Sequence, residues 1–307
     1  MGVESRTAGG GGAWDSALSA RDFAAIRSVG FEPVGQVFGA AVYYLSTVLG
    51  AGCPGTSADS LLHDVPPEAA GTSGRSLAAE SGPAGSGRAG PAVSGLAGPA
   101  AKVARLYEGR RTAIDRMTDR CAELGGHGIV GAALRVREIP PDSRTAGAIE
   151  FTVIGTAVRA SGCPPLRRPF ASDLSGPGVA TMIMAGWVPA GIALGIAVTG
   201  LHDDLATTSS GPWRTGNAEV PAYTALLMKV RQEARRRLEQ AVRSAGADGA
   251  VVSAMTRRVR SDACRAHPGG TDHFAEAVIT GTAVARFASR PQTAPPGLAV
   301  VHLDVGR

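Results

Sequence analysis

Four residues of types that commonly bind metal ions lie close together near the C-terminal end of the chain: Cys264, His267, Asp272 and His273. Cys264 and His267 have the spacing Cys-x-x-His, and thiolate, imidazole and carboxylate groups together suit zinc or a similar divalent ion. Residues 268–270, Pro-Gly-Gly, predict a loop, and polar residues collect in loops without binding anything. Two interpretations therefore stay open, a divalent metal site and a solvated loop, and the sequence does not name a cofactor.

A His-Asp pair can orient a general base, and two such pairs occur, His63-Asp64 and His202-Asp203. The chain has no nucleophile motif of the Gly-x-Ser-x-Gly kind and no phosphate-binding loop that ends in Lys-Ser/Thr. We therefore interpret both pairs as solvated loop residues and predict no catalytic and no cofactor-binding residues. A non-enzymatic scaffold or small-ligand-binding protein is the expected class. The alternatives are a metal-binding or metal-responsive protein that uses the Cys264–His273 loop and an enzyme whose site is built between subunits.

Residues 126–131, Gly-His-Gly-Ile-Val-Gly, match the Gly-x-Gly-x-x-Gly pattern of dinucleotide sites. Such a site needs a strand, then the glycines, then a helix, so that the pyrophosphate meets a helix N-terminus. Here the glycines follow a predicted helix and enter a predicted strand. The run therefore predicts a turn.

The positive charge of the chain is carried almost entirely by arginine. The net charge is +5, but Lys102 and Lys229 are the only lysines, a bias typical of GC-rich genomes. The run Arg235-Arg236-Arg237 lies in a predicted helix with no interleaved aromatic residue, which favours a solvated face over a nucleic-acid contact. We expect no nucleic-acid partner.

The same unit occurs twice along the chain, as three glycine-anchored blocks in the same order. A duplication of this kind has to be recognised before a fold is assigned. The blocks are 28–39 and 184–195 (186 − 30 = 156), 124–128 and 245–249 (246 − 125 = 121), and 154–158 and 280–284 (281 − 155 = 126).

The duplication bears on where the protein resides. Residues 174–201 carry no charge, and about 20 apolar residues can span a bilayer. The first copy has Arg27 and Glu32 where the second has Ile183 and Val188, so we expect no membrane insertion. The four cysteines show no Cys-x-x-Cys spacing, and the first 20 residues lack the apolar segment of a signal peptide, so a reducing cytoplasm is expected.

Each copy is predicted to form a strand, a helix and two further strands. The first strand is expected over 23–34 and onward, and apolar residues at helical spacing predict helices near 103–124 and 223–241. The predicted organisation is a disordered tail (1–22), a first repeat (23–160) with a low-complexity insertion (50–100), a linker (161–177), a second repeat (178–288) and a C-terminal tail (289–307).

The glycine pattern resembles that of the YbjQ family, small bacterial proteins labelled as heavy-metal-binding. The resemblance rests on the strand glycines Gly186, Gly191 and Gly195, on the turn 246–249 after the helix, and on the closing Gly-Thr-Ala-Val at 281–284, each with a counterpart in the first copy. It implies an α+β fold of two tandem β-α-β-β units, each a small three-stranded sheet with one helix. It also implies assembly into a ring, which is pentameric in the family.

Self-association is the prediction that follows. A three-stranded sheet covered by one helix leaves strand edges open, and open edges seek partners. We expect a homo-oligomer, with five two-domain chains forming two stacked rings as one solution and an even number of units in one ring as another. The measurement is the mass of the full chain in solution; a monomer at all concentrations would contradict it.

Overall fold

The computed structural model describes residues 18–44, 99–140, 147–164, 166–203, 219–264, 267 and 269–287. Helices and antiparallel strands alternate in these ranges, which confirms the predicted α+β class. The elements are α1 (Ala20–Ser28), β1 (Phe31–Tyr44), α2 (Pro99–Glu123), β2 (Gly128–Ile139), β3 (Ala148–Ala160), β4 (Phe170–Ala171), α3 (Gly176–Met184), β5 (Trp187–His202), α4 (Pro221–Ser244), β6 (Gly249–Ala263) and β7 (Thr271–Arg286).

The strands form two sheets, with the order β1-β3-β2-β4 in the first and β5-β7-β6 in the second. The central strand of each sheet, β3 or β7, pairs antiparallel with both of its long neighbours. The first strand of each sheet has an irregularity after its proline, between Pro33 and Gly35 and between Pro189 and Gly191. The two halves of the chain therefore share the element order helix–strand–helix–strand–strand and the same pairing of their three long strands.

Helix α2 lies between the two sheets. Its residues Leu106, Ala113 and Met117 are buried at the helical spacing expected from the sequence, in a core that also contains Phe151 of β3 and Ile196 of β5. A buried face of this kind supplies most of the stability of a helix in a protein. Because α2 contacts both sheets, it joins the two halves into one body.

Polar contacts fix α2 against the second sheet. The hydroxyl of Tyr107 accepts a hydrogen bond of 2.8 Å from the backbone N–H of Ile196 on the edge strand β5. The Lys102 ammonium lies 2.7 Å from the carboxylate of Glu276 on β7. Both pairs cross between the halves, so the position of α2 is set by directional contacts as well as by burial.

Helix α4 covers the opposite face of the second sheet. Val230, Ala234 and Leu238 recur at the helical spacing expected from the sequence and pack against Ala197 and Ala275. The molecule is thus layered in the order first sheet, α2, second sheet, α4.

A glycine lets each long helix approach its sheet closely. A Cβ added at Gly39 would lie 2.0 Å from the carbonyl oxygen of Ala113 in α2, and one added at Gly195 would lie 2.0 Å from that of Ala234 in α4. Real atoms never approach so closely, so no larger residue fits without moving the helix. The two glycines stand 156 positions apart (195 − 39), as the duplication requires.

An arginine of each long helix caps the edge strand beside it. Arg116 donates to the carbonyl oxygen of Ala40 on β1, and Arg237 donates to that of Ile196 on β5 at 3.0 Å. Arg237 also contacts Glu233 and is only 13% exposed. The prediction that the arginine triplet is solvated is therefore confirmed for Arg235 and Arg236 and wrong for Arg237.

The strand predicted from residue 23 is wrong at its start, because α1 occupies that segment. Ser19 caps α1 through a reciprocal pair of bonds with Asp22. Ser175, 156 positions later (175 − 19), caps α3 by accepting a hydrogen bond from Gly178 N–H, and both helices are nine residues long. Each half therefore has two helices rather than the predicted one, and α1 begins inside the predicted tail 1–22.

The segment 161–177, predicted as a linker, forms part of the first sheet. Its residues Phe170–Ala171 make strand β4, which pairs in parallel with Gly128 and Ile129 of β2. The first sheet consequently has four strands instead of three.

Several sequence predictions lie wholly or largely outside the described residues: most of the tail 1–22, nearly all of the insertion 50–100 and the tail 289–307. The uncharged stretch 174–201 forms α3 and most of β5. In the described ranges, no helix has both the length and the apolar character needed to cross a membrane.

We expect Gly195→Ala to destabilise the fold, because its new methyl group meets backbone atoms of α4 that cannot move alone. Overpacking of this kind typically costs about 1–3 kcal/mol. Gly178→Ala is the matched control, since its Cβ would make ordinary contacts, the nearest at 3.4 Å. Urea unfolding of both variants measures the difference; equal midpoints would show that the helix does not depend on this contact.

Candidate metal centre

Three strand ends meet at one end of the second sheet. Strands β5 and β6 lie on either side of β7 and both run antiparallel to it, so they point in the same direction and end where β7 begins. In register, His202 at the end of β5 is opposite Asp272 on β7. Cys264 follows β6 directly, and the loop to β7 contains His267.

The loop between β6 and β7 is closed by its own backbone. Cys264 N–H donates to the carbonyl oxygen of Gly270 at 2.9 Å, and Gly270 N–H donates to that of His267 at 3.0 Å. Gly269 has a φ of +84°, a conformation that favours glycine. A Cβ on Gly270 would lie 2.9 Å from Cε1 of His202, so the loop passes directly over that ring.

His202, Cys264 and His267 form a cluster whose ligand atoms all lie within 4.8 Å of one another. The Sγ atom of Cys264 is 3.8 Å from Nδ1 of His267, and the two imidazole rings are 4.9 Å apart between centroids. His202 and Cys264 are buried, whereas His267 is exposed. Two imidazoles and a thiolate form a donor set typical of zinc, for which three protein ligands leave a fourth position open.

The spacing of these donors suits a small contraction onto an ion. Zinc bonds of ordinary length hold neighbouring tetrahedral donors about 3.3–3.6 Å apart. The Cys264–His267 distance of 3.8 Å is close to that range. Because His267 is exposed and lies in a glycine-containing loop, it can move toward the two buried donors without disturbing the sheet.

Asp272 supports the cluster from behind. Nδ1–H of His202 donates to the Asp272 carboxylate at 2.7 Å, and both side chains are buried. A carboxylate on one nitrogen of a histidine fixes the ring orientation and presents the other nitrogen to a metal. Asp272 thus contacts His202 and is not one of the three clustered donors, whereas the sequence predicted it as a direct ligand.

His273 lies outside the cluster. Its Nδ1 is 2.8 Å from the Ser261 hydroxyl, and its Nε2 is 3.0 Å from the Tyr223 hydroxyl. Neighbouring residues on a strand point to opposite faces, so Asp272 and His273 cannot serve the same centre from β7. The structure therefore brings Cys264 and His267 together as predicted, adds His202, and directs His273 elsewhere.

Sequence reasoning considered His202 only as part of a His-Asp pair with Asp203. Asp203 instead has its carboxylate 3.7 Å from the His273 ring. The strand order would have predicted this contact: because β5 and β6 flank β7 and end on the same side, His202 at the end of β5 lies beside the loop that follows β6. That order is not visible in the spacing of the residues along the chain.

The glycine run 126–131 forms the predicted turn into β2. Its His127 is held by the main chain, with Nδ1 accepting from Ala160 N–H at 2.9 Å and Nε2 lying 2.8 Å from the Pro164 carbonyl oxygen. Burial raises the pKa of the nearby Cys121 thiol to about 12, and its Sγ donates to the Gly128 carbonyl oxygen. Neither side chain is arranged as a metal ligand.

Residues 97–161 match the sequence profile of the YbjQ family, described as "Putative heavy-metal-binding". The matched segment contains α2, β2 and β3 of the first half. It does not include His202, Cys264 or His267. The family similarity and the metal-ligand cluster therefore lie in different halves of the chain.

A protein of Mycobacterium tuberculosis (strain ATCC 25618 / H37Rv) is also similar to this chain. It is named "Encapsulin nanocompartment protein Rv1762c" and is 26% identical over 246 residues, which are 77% of this chain and 75% of that protein. No solved structure has a significant match.

We expect Asp272→Asn to weaken zinc binding, because the amide loses the charge that orients His202. Loss of such a supporting carboxylate typically lowers metal affinity about 10–100-fold. Asp203→Asn is the matched control, since it removes the same charge one residue from His202 without touching that ring. Calorimetric titration with zinc compares the two; equal affinities would contradict a supporting role for Asp272.

Proposed function

We propose that this chain is a non-enzymatic protein that binds a divalent ion such as zinc through His202, Cys264 and His267. The observation that supports it best is the convergence of three soft or borderline donors, two of them buried, with a carboxylate placed behind one of them. A buried histidine with a buried carboxylate partner is the arrangement found at structural and catalytic metal sites. The exposed third donor leaves a side from which the ion can enter.

The cluster also explains a local feature that packing alone does not. Gly270 approaches the His202 ring so closely that no side chain fits, and Gly269 adopts a left-handed backbone. Both glycines bring the loop, and with it His267, over the buried pair. A bound ion would tie this loop to the ends of β5 and β6, so metal binding would also stabilise this end of the sheet.

Metal content tests this proposal. We expect the purified chain to bind about one zinc ion per molecule, and His267→Ala to weaken binding without unfolding the protein, because His267 is exposed. Cys264→Ser should weaken it further, since a hydroxyl replaces the only thiolate ligand.

Cys163→Ser is the matched control, because Cys163 is an exposed cysteine outside the cluster. Mass spectrometry of the native protein gives the stoichiometry, and competition with a chelating dye gives the affinity. Substoichiometric metal that neither Cys264→Ser nor His267→Ala changes would overturn the proposal.

A second part of the proposed function is self-association. We infer two tandem YbjQ-like units, 23–160 and 178–288, because the halves share element order, strand pairing, the close-approach glycines and the arginine caps. The relative named as an encapsulin nanocompartment protein supports an oligomeric role. Ring assembly, with five chains as the simplest family-like arrangement, is the form we propose.

A further inference from the structure

The outer face of the first sheet, which is the face turned away from α2, carries exposed apolar side chains along β1. Val37 and Ala41 of this strand are buried in the core that contains α2. Neighbouring residues on a strand point to opposite faces, so Phe38 and Val42 lie on the outer face. They are 55% and 60% exposed, which makes this part of β1 a bare apolar surface in the described chain.

The equivalent face of the second sheet is buried under α2. Leu194 and Val198 of β5 are the counterparts of Phe38 and Val42 (194 − 38 = 156; 198 − 42 = 156), yet they are only 8% and 6% exposed. Ile196 between them is fully buried in the core that α2 forms with both sheets. The repeated unit therefore has a face that a long helix covers in the second sheet and that is bare along β1 in the described part of the first.

Helix α4 has an exposed stripe at the positions that α2 uses to contact the second sheet. Tyr107 and Arg110 of α2 correspond to Met228 and Arg231 of α4 (228 − 107 = 121; 231 − 110 = 121). Tyr107 makes its hydrogen bond to Ile196 of β5 across this contact. Met228 is 62% exposed and Arg231 is exposed as well, so the same side of α4 is turned to solvent.

An acidic residue of the bare face matches the arginine of the stripe. Burial lowers the pKa of the Arg110 guanidinium to about 10, and the Glu276 carboxylate on β7 acts in the opposite direction, so these two charges attract each other. Their equivalents are Arg231 on α4 and Glu150 on β3 (276 − 150 = 126). The repeat therefore carries the same pair of opposite charges on the stripe and on the bare face.

The other charges of the bare face do not oppose this match. Each acidic residue has an arginine opposite it in register, Arg137 in the first sheet and Arg258 in the second (258 − 137 = 121). Arg135 on β2 and Glu32 on β1 add one charge of each sign, where the second sheet has uncharged residues. The net charge that a helix meets is thus the same on these positions of both faces.

One apolar pair of the existing contact is replaced by a polar pair. Ile114 of α2 and Ile192 of β5 both pack against the core between the halves. Their equivalents are Arg235 and Gln36 (235 − 114 = 121; 192 − 36 = 156). A guanidinium can donate to a glutamine side-chain oxygen, so both positions change together in a way that keeps them compatible.

The stripe and the bare face lie at opposite ends of one molecule, because the layers follow in the order first sheet, α2, second sheet, α4. They can therefore meet only between two molecules. Helix α1 leaves room for this contact, since its buried residue Ile26 packs against Val130 and Val158. Val158 is opposite Pro33, near the start of β1 and away from the exposed part of that strand.

We propose that the outer stripe of α4, centred on Met228 and Arg231, packs on Phe38, Val42 and Glu150 of a second copy, as α2 packs on the second sheet within one chain. The contact joins different surfaces of the two molecules, so it is head to tail and either closes into a ring or extends into a filament. The inference rests on the self-association part of the proposed function and does not involve the metal site.

Charged substitutions test the contact in the full-length chain. Val42→Asp and Met228→Asp each place a carboxylate in the proposed apolar contact, and we expect each to weaken association about tenfold or more. Both side chains are exposed, so circular dichroism should show an unchanged fold. Val259→Asp is the matched control, because Val259 is 54% exposed on β6 and outside the contact. Sedimentation equilibrium measures the association of all three variants.

Photo-cross-linking identifies what covers the bare face. A benzoylphenylalanine is placed at position 42 of the full-length chain, and isotope-labelled and unlabelled copies are mixed, allowed to assemble and irradiated. We expect cross-links to the α4 segment around Met228, formed between a labelled and an unlabelled copy. The same probe at position 259 is the control, for which we expect no cross-link to that segment of another copy.

The outcomes separate this inference from the broader proposal. Weaker association of both Asp variants, together with cross-links from position 42 to α4 of another copy, supports it. An oligomer that neither variant weakens, or cross-links from position 42 only to other segments, residues 45–98 of the same chain included, overturns the helix-on-sheet contact and leaves self-association standing. A wild-type chain that is monomeric at all concentrations overturns both.

Discussion

The close approach of one long helix to three strands is the contact on which each half of the molecule depends. Gly39 and Gly195 allow the backbone of α2 and α4 to touch the first strand of each sheet, where any side chain would collide with a helix carbonyl. That approach places Arg116 and Arg237 within reach of the neighbouring strand carbonyls. In each half, one glycine therefore sets both the position of the long helix and the hydrogen bond from its arginine to the edge strand.

Edge protection then explains how the halves are joined. The outer edge of β5 is hydrogen-bonded by Tyr107 and Arg237, and β2 pairs with β4, the short strand that precedes α3. In the described residues, β6 is the other edge strand of the second sheet, and no further strand is added to it. In the described residues, an equivalent edge is therefore covered once, where β4 pairs with β2, and is left without a further strand once, at β6.

The candidate metal centre lies where β5 and β6 end and β7 begins, and it depends on strand register and on a buried ion pair rather than on helix packing. Two parallel strand ends and one loop bring together donors that are 62 positions apart in the chain (264 − 202). Burial of the polar His202 ring would be unfavourable without a hydrogen-bond partner, and the Asp272 carboxylate is that partner. The cluster belongs to the half outside the family match, so it is a feature added to the shared unit rather than a property of the unit itself.

The sequence by itself determined the duplication, the two long helices and the paired strands, because these follow from local periodicity and repeated glycines. It also placed Cys264 and His267 together, since they share one short loop. It did not show α1 or α3, because neither has a clear helical period: α1 has Ile26 as its one buried residue, and α3 is a short run of apolar and small residues with no charged face. Only the tertiary structure decided that His202 joins the loop, that Asp272 supports it and that His273 turns away, because strand order and the alternation of faces place residues by register, not by distance along the chain.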